Sequence, residues 1–423
     1  MSGATYRFAH ELASRGHEVN VVTNSDEVEF GFRELLWGGD EARLEGEYGG
    51  GKVRVHQTHP LAPNSYIPWT NPYVSKLVGR AIEVGNVRGC DAIVGVYLEP
   101  FGVAAALLSV VLQKPLILRH AGSDVGRLSK HPDLVETYRW TLGRADAVVT
   151  GAPFGNVYET LLALGVLPAK LKTLGASALP NWFCDSDENL DLMALAEASA
   201  ASSWTDHLFP KAFKGLAHAN EKRLRKNVPT IGTFGKVGAS KGSLVLVDAL
   251  KKLAAEGYQF NFVALAGGTS LALERYCGAI MESSALCDRS WILPLIAPWR
   301  VPGFIRACDV IPFLEHDFPI AIHRPRIPRE VLAVGTCLVC SSEVADKQGF
   351  RENLVHRKNY VRVDAPNDVA ALSEELAALI DHPDLCYSIG RHGLFLSKII
   401  EKGLPTIDPI VGLLEGIVDG ALG

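Results

Sequence analysis

The sequence predicts an α/β protein made of two Rossmann-like, doubly wound parallel-sheet domains. Three observations lead there. Short apolar runs alternate with amphipathic helical stretches along most of the 423 residues. One helix–glycine–strand phrase occurs in each half, ELASRGHEVNVVT (11–23) and KLAAEGYQFNFVA (252–264). A Gly-rich turn, TIGTFGKVGASKG (230–242), joins an apolar strand to a helix.

The elements follow in order. Gly16 and Gly257 suit the left-handed cap that ends a helix, and the apolar run after each suits a strand buried on both faces. DAIVGVYLE (91–99) reads as a strand, and FGVAAALLSVVL (101–112) as a buried helix too short to span a bilayer. PLILRHAG (115–122) is a strand entering a loop, and ADAVVTGA (145–152) is another strand. Residues 185–215 turn acidic, then Ala/Ser-rich, then aromatic, which predicts an irregular or helical insertion. In the second half SWILPLI (290–296), CDVIPFL (308–314) and TCLVCSS (336–342) are strands. REVLAVG (329–335) and DVAALSEELAALIDHP (368–383) are helices. The expected division is an N-terminal domain over 1–184, an insertion over 185–228, a C-terminal domain over 229–395, and a helix over 396–423.

Composition excludes several classes. A net charge of −5 with 48% hydrophobic and 21% charged residues gives no electrostatic case for nucleic acid. The basic run EKRLRKN (221–227) reads as a solvated helix end. No signal peptide opens the chain and its eight cysteines form no disulfide framework, which predicts a reducing, cytoplasmic setting. Cys337 and Cys340 sit inside a buried strand rather than at a zinc or redox site. Asp185 and Asp187 read as a polar helix start, so no metal is expected. The oligomeric state is not legible.

Three segments could carry chemistry. Gly232, Gly235 and Gly238 allow close backbone approach, and Lys236 and Lys241 place two cations beside a helix N-terminus. That arrangement suits a phosphate or diphosphate, although the spacing is not that of a Walker loop. In RHAGSD (119–124), Arg119, His120 and Asp124 stand where a strand end opens into a crevice. In PFLEHDFPIAIHRPRIPREVLAVG (312–335), Glu330 follows Pro328 in the first turn of a helix, placed to accept from a vicinal diol. His316, His323, Arg324, Arg326 and Arg329 predict a cationic loop that completes a diphosphate clamp.

Taken in order, these motifs resemble the retaining GT-B glycosyltransferases of family 4 (group 1). ATYRFAHELASRGHEVNVVT resembles the helix and strand after the first Gly-rich loop, and RHAGSDV the loop carrying the active-site histidine. ADAVVTGA resembles the strand that closes the N-terminal sheet, and GTFGKVGASKG the loop that holds the donor diphosphate. LPLIAPWRVPGFIRACDVIPFL resembles the base-binding turn, helix and next strand, and PREVLAVGTCLVCS the helix whose glutamate binds the ribose. The resemblance covers most of the chain, weakly over 185–228, and implies that the two domains face each other across a cleft, with the helix over 396–423 crossing back to the first domain.

The resemblance implies that Lys236 and Lys241 stabilise the departing diphosphate, that Glu330 holds the ribose and that Ile296 meets the base through its backbone. His120 would contact the transferred sugar or the leaving phosphate. Gly3, Gly235, His316, Pro328, Arg329 and Val331 are further donor-side positions. Arg119, Asp124 and Asp317 are candidates for acceptor or sugar, and Glu315 is a further candidate for the sugar. The implied donor is a UDP- or GDP-sugar, with no tightly bound cofactor and no metal. The implied acceptor is a small molecule, a glycan or a lipid-linked sugar. A lipid acceptor would allow peripheral membrane contact, though no basic amphipathic helix in the sequence demands it.

The chain departs from the family pattern in two places. The family's paired glutamates would put the first at Ile322, or, counted forward from PFLEHDF, at His316. The residues MSGAT begin at the Gly-rich loop itself, so the first strand of the family is not in this sequence; either the start is misassigned, or a central strand is lost and neighbouring edges are exposed. Two alternatives share the architecture. One is a nucleotide-sugar epimerase, which needs a carboxylate acid/base pair. The other is a sugar-nucleotide-binding homologue without activity.

Overall fold

The computed structural model describes residues 3–25, 34–59, 72–151, 155–185, 190–202, 216, 224–319 and 323–420. Ile322 lies outside them, as do Asp187 and the first three residues of the basic run 221–227.

The first helix, Gly3–Ser14, buries Phe8, Ala9, Leu12 and Ala13 and stops at Gly16, whose φ is 94°. It leads into β1 (Glu18–Thr23). β1 pairs in parallel with β3 (Gly51–Gln57), and β2 (Gly46–Tyr48) pairs antiparallel on the other edge of β3. A second sheet holds β4 (Ile93–Val96), β5 (Leu116–Arg119), β6 (Ala147–Thr150) and β7 (Leu171–Thr173), all parallel and in that order. Among the described residues, no backbone ladder joins the two sheets. β1 and β4 are edges, and Val19 and Val94 pack on one apolar cluster. The break thus falls beside the helix that follows the first Gly-rich loop. Helix Val103–Leu112 differs from the fully buried helix expected. Val110 and Val111 are about half exposed, because only one side packs on β4 and β5.

The second half is one six-stranded parallel sheet. It comprises β8 (Thr230–Lys236), β9 (Asn261–Gly267), β10 (Ser290–Leu293), β11 (Val310–Phe313), β12 (Cys337–Ser341) and β13 (Val361–Val363). The order is β10-β9-β8-β11-β12-β13. The direction of winding reverses between β8 and β11, so the crevice beyond their C-terminal ends is the natural ligand site of this sheet. Helices Ser243–Ala255, Ser270–Met281 and Val369–Asp381 cover one face, and helix Ile327–Val334 the other.

Two boundaries differ from the sequence reading. Helix Leu192–Ala201 belongs to the C-terminal core, because Leu192, Leu195 and Ala196 pack with Val263 and Leu293. The final crossing uses two helices. Pro383–Lys402 stays on the second domain, and Pro409–Val418 sets Ile410, Val411 and Leu413 against Phe8, Leu12 and Ile117 of the first. Gly403 and Pro405 break the run, and the Asp408 side chain caps the last helix by accepting the Ile410 N–H.

Cys337 and Cys340 lie buried in β12, and all eight cysteines are free thiols. Burial pushes the Cys340 thiol well up, which keeps it inert. Among the described residues there is no cluster of three or more metal-ligating side chains. None of their helices is long and apolar enough to cross a membrane.

Candidate functional site

The Gly-rich turn lies at the switch point. β8 runs out to Lys236, a short turn covers Ala239–Lys241, and helix Ser243–Ala255 begins behind it. Gly235 and Gly242 have φ of 131° and 66°, where side chains are disfavoured. A Cβ on Gly242 would stand 2.6 Å from the Leu314 carbonyl oxygen, so only glycine lets the turn lie against the β11 loop. Thr233, Gly235, Lys236, Lys241, Ser243 and Leu314 line a shallow cavity there. Lys236 is exposed and has no ion-pair partner among the described residues.

Lys241 is differently placed. Its ammonium donates to Oε2 of Glu315, a carboxylate with no solvent exposure. It also lies 4.0 Å from the centre of the Phe318 ring. His323 Nε2 stands 3.4 Å from Glu315 Oε1, within ion-pair distance but off hydrogen-bond geometry, so Oε1 lacks a donor. Burial pushes the Glu315 carboxyl up, but His323 and Lys241 outweigh it and hold it below the ordinary 4.5. The Ser341 hydroxyl donates to the Glu315 carbonyl, and Glu343 accepts the Asp317 and Phe318 N–H groups. The loop after β11 therefore folds back onto the clamp and brings it an anion.

The cationic loop expected from the sequence is divided. Arg324 and Arg326 are exposed, and Arg326 Nε lies 3.8 Å from Glu330 Oε1. Arg329 forms a bidentate pair with Glu401 and donates to the Ser177 carbonyl at 2.9 Å, tying helix Ile327–Val334 to the domain connection. His316 is held at the turn by its N–H to Ser240 O, 3.1 Å, and its Nδ1 to Leu314 O, 2.9 Å. Asp317 is exposed, with φ of 49°. Glu330 sits in the first turn of its helix, between buried Pro328 and buried Val331, with 18% of its side chain exposed.

Ile296, in the turn after β10, is fully buried. The N-terminal domain lies across this turn. Glu34 bridges Ile296, and its N–H donates to Leu295 O at 2.7 Å. Asp40, with no exposure, accepts Trp299 Nε1–H at 2.9 Å and Arg300 Nε–H at 2.7 Å. The Arg300 guanidinium stacks 4.2 Å from the Trp37 ring, and Gly3 at the head of the first helix faces Pro298. Sequence reasoning missed Glu34, Trp37 and Asp40. LLWGGDEA (35–42) offers only an acid in a short helix, with no sign of a partner beyond residue 290.

On the first domain, the His120 ring nitrogens are buried, with no hydrogen-bond partner among the described residues. Burial first, then Arg119, lowers its pKa against the opposing effect of Asp124, so the ring is neutral at neutral pH. Asp124 is fully buried, and its carboxylate accepts the N–H groups of Leu98, Ala121 and Val125. It shapes the loop that presents His120 and faces no open space. Arg119 NH1 reaches Asp408 Oδ2 at 3.3 Å, at the head of the last helix.

With this geometry in place, comparison with known proteins is informative. Residues 1–175 match the family described as glycosyl transferase 4-like domain. The chain has the GT-B fold, and its first 175 residues are similar to a glycosyl transferase 4-like domain. Sucrose-phosphate synthase from Thermosynechococcus elongatus shares the fold with a TM-score of 0.58 and 15% identity, over 99% of this chain and 92% of that one. HepE from Anabaena, solved with UDP-glucose, gives a TM-score of 0.53 and 14% identity over 96% and 99%. A glycosyltransferase from Rickettsia africae gives 0.53 and 15% over 100% and 96%. The sequence matches no curated protein.

Proposed function

We propose that this protein transfers a sugar from a nucleotide-diphosphate sugar, a UDP-sugar first among the candidates, to an acceptor with retention of configuration and without a metal. The observation that carries this reading is the pair of lysines at the β8–β11 switch point, beside a helix N-terminus. Lys236, exposed and unengaged, meets the diphosphate first. Lys241, held by Glu315 and Phe318, takes up the charge that develops on the leaving group. The two cations do the neutralising that a divalent ion would otherwise supply. Glu330 accepts the ribose hydroxyls, the Ile296 turn holds the base, and neutral His120 meets the transferred sugar from the other domain.

One observation favours a second reading, a sugar-nucleotide-binding protein that does not transfer. The Glu34–Asp40 segment already covers the base turn. Thermal-shift titration with UDP, GDP, ADP, TDP and their sugars, with and without EDTA, tests donor binding. An EDTA-insensitive rise with one nucleotide that Lys241→Ala abolishes supports the clamp. NMR of the product anomer then separates retention from inversion. Donor binding with neither transfer nor hydrolysis would favour the second reading.

A further inference from the structure

A group of polar side chains at the C-terminal ends of β4 and β5 is left over from the donor site. The turn Leu98–Gly102 follows β4, and the loop with His120 follows β5. One carboxylate staples the two together. Asp124 accepts the Leu98 N–H at 3.0 Å and the Ala121 N–H at 3.1 Å, so Glu99 and His120 each sit one residue from the staple. The Tyr97 N–H adds a bond to Arg119 O at 2.8 Å.

Four features of this group point to an absent polar guest. His120 buries two ring nitrogens that have no partner among the described residues. The fully buried Tyr138 hydroxyl has none either, and Glu99, Asp124 and Tyr97 all lie close enough to oppose its ionisation. Tyr97 holds φ of 74°, a strained conformation for a bulky residue, with its hydroxyl 3.0 Å from Ser123 Oγ. Glu99 is half-buried and makes no hydrogen bond or ion pair among the described residues. Burial alone raises its carboxyl above the ordinary 4.5, and no cation offsets it.

Among the described residues the site therefore offers hydroxyl, imidazole and carboxyl groups and no unengaged cation. Arg119, which acts on His120, is engaged by Asp408. A phosphate or carboxylate would meet Glu99 with nothing to balance it, whereas sugar hydroxyls both donate and accept. We infer that Glu99 and His120, with Tyr97 and Ser123, form a binding site for an uncharged polyol, the acceptor in the proposed transfer. The inference deepens that reading but does not need it to be tested.

Saturation-transfer NMR on the full chain reads it directly, using glucose, myo-inositol and glycerol beside glucose 6-phosphate and glycerol 3-phosphate. A neutral polyol should bind, and Glu99→Ala should weaken it by on the order of tenfold, the loss of one hydrogen bond to a charged group. Glu99→Gln, which keeps an acceptor oxygen, should weaken it less, and Lys241→Ala should leave it unchanged. The UDP-induced melting shift should survive in Glu99→Ala, showing an intact fold. Binding of no polyol, binding indifferent to Glu99, or a Glu99-dependent preference for the phosphates would each overturn the inference. Glu99-dependent polyol binding without any nucleotide binding would keep the inference and sink the transferase reading. If Glu99→Ala fails to fold, Glu99→Gln carries the comparison.

Discussion

Asp40→Ala tests whether the first domain guards the base turn. Asp40 is fully buried and accepts two hydrogen bonds from the second domain, one from neutral Trp299 and one from cationic Arg300. Removing one member of a buried charged pair commonly costs about 3–5 kcal/mol. Arg300 keeps 15% of its side chain exposed and regains some hydration, which places the cost near about 3 kcal/mol. That energy holds the Glu34–Asp40 segment on the turn where a base would bind. Releasing it raises the fraction of molecules with a free turn, and the apparent affinity rises with that fraction. About 3 kcal/mol sets a ceiling on the order of a hundredfold. Calorimetric titration of the binding nucleotide diphosphate into wild type, Asp40→Asn and Asp40→Ala reads this. Affinity should rise from wild type to Asn to Ala while the melting temperature falls in the same order. A lower melting temperature with unchanged or weaker nucleotide affinity would mean that the segment does not stand in the way.

Two further perturbations address the clamp and the strap by which Glu415 of the last helix holds Arg15 and His17 of the first domain. Glu315→Gln removes the anion that shares Lys241, so UDP should bind several-fold tighter and the fold should lose stability; equal or weaker binding would show that Glu315 does not compete. Glu415 is held at about 2, first by its hydrogen bond to Arg15 and then by that to His17. A carboxyl depressed in the folded state contributes stability above its ordinary 4.5, lost as pH falls from there toward 2. The pair is largely exposed, so the effect should be small and shrink with salt. Wild type should therefore lose melting temperature over that window more steeply than Glu415→Gln at low salt, and parallel curves would remove the strap from the account.

The fold was legible because its signals are local. Gly16 and Gly257 end helices before buried strands, and the runs that became β4, β5, β6, β8, β10, β11 and β12 are short and apolar. Of the strands the sequence does not announce, β2, β7 and β13 are three residues each, too short for periodicity to register, while the seven-residue β3 mixes charged and polar side chains with only two valines. The site was legible where one segment makes it, as in the turn from Gly235 to Ser243. It was not legible where two segments meet. Nothing local to Lys241 announces its partner, because Glu315 lies 74 residues away. Asp124, a buried carboxylate bound by three N–H groups, looks in sequence like one that faces a cleft.

The carboxylates show how that ambiguity resolves. Asp40, Asp124, Glu315, Glu401 and Asp408 are each taken up by backbone N–H groups, an indole or a cation, and each joins segments far apart in the chain. Their work is to fix the geometry of the two strand-end loops and the connection between domains. Among the half-buried carboxylates around those loops, Glu99 and Glu330 keep acceptor capacity, since Arg326 approaches Glu330 no nearer than 3.8 Å. One belongs to each domain. A transferase needs hydroxyl recognition on both sides of its cleft, for the donor ribose and for the acceptor, and a donor-binding protein needs it on one. The Glu99→Ala measurement therefore bears on the choice between those two readings as well as on the acceptor.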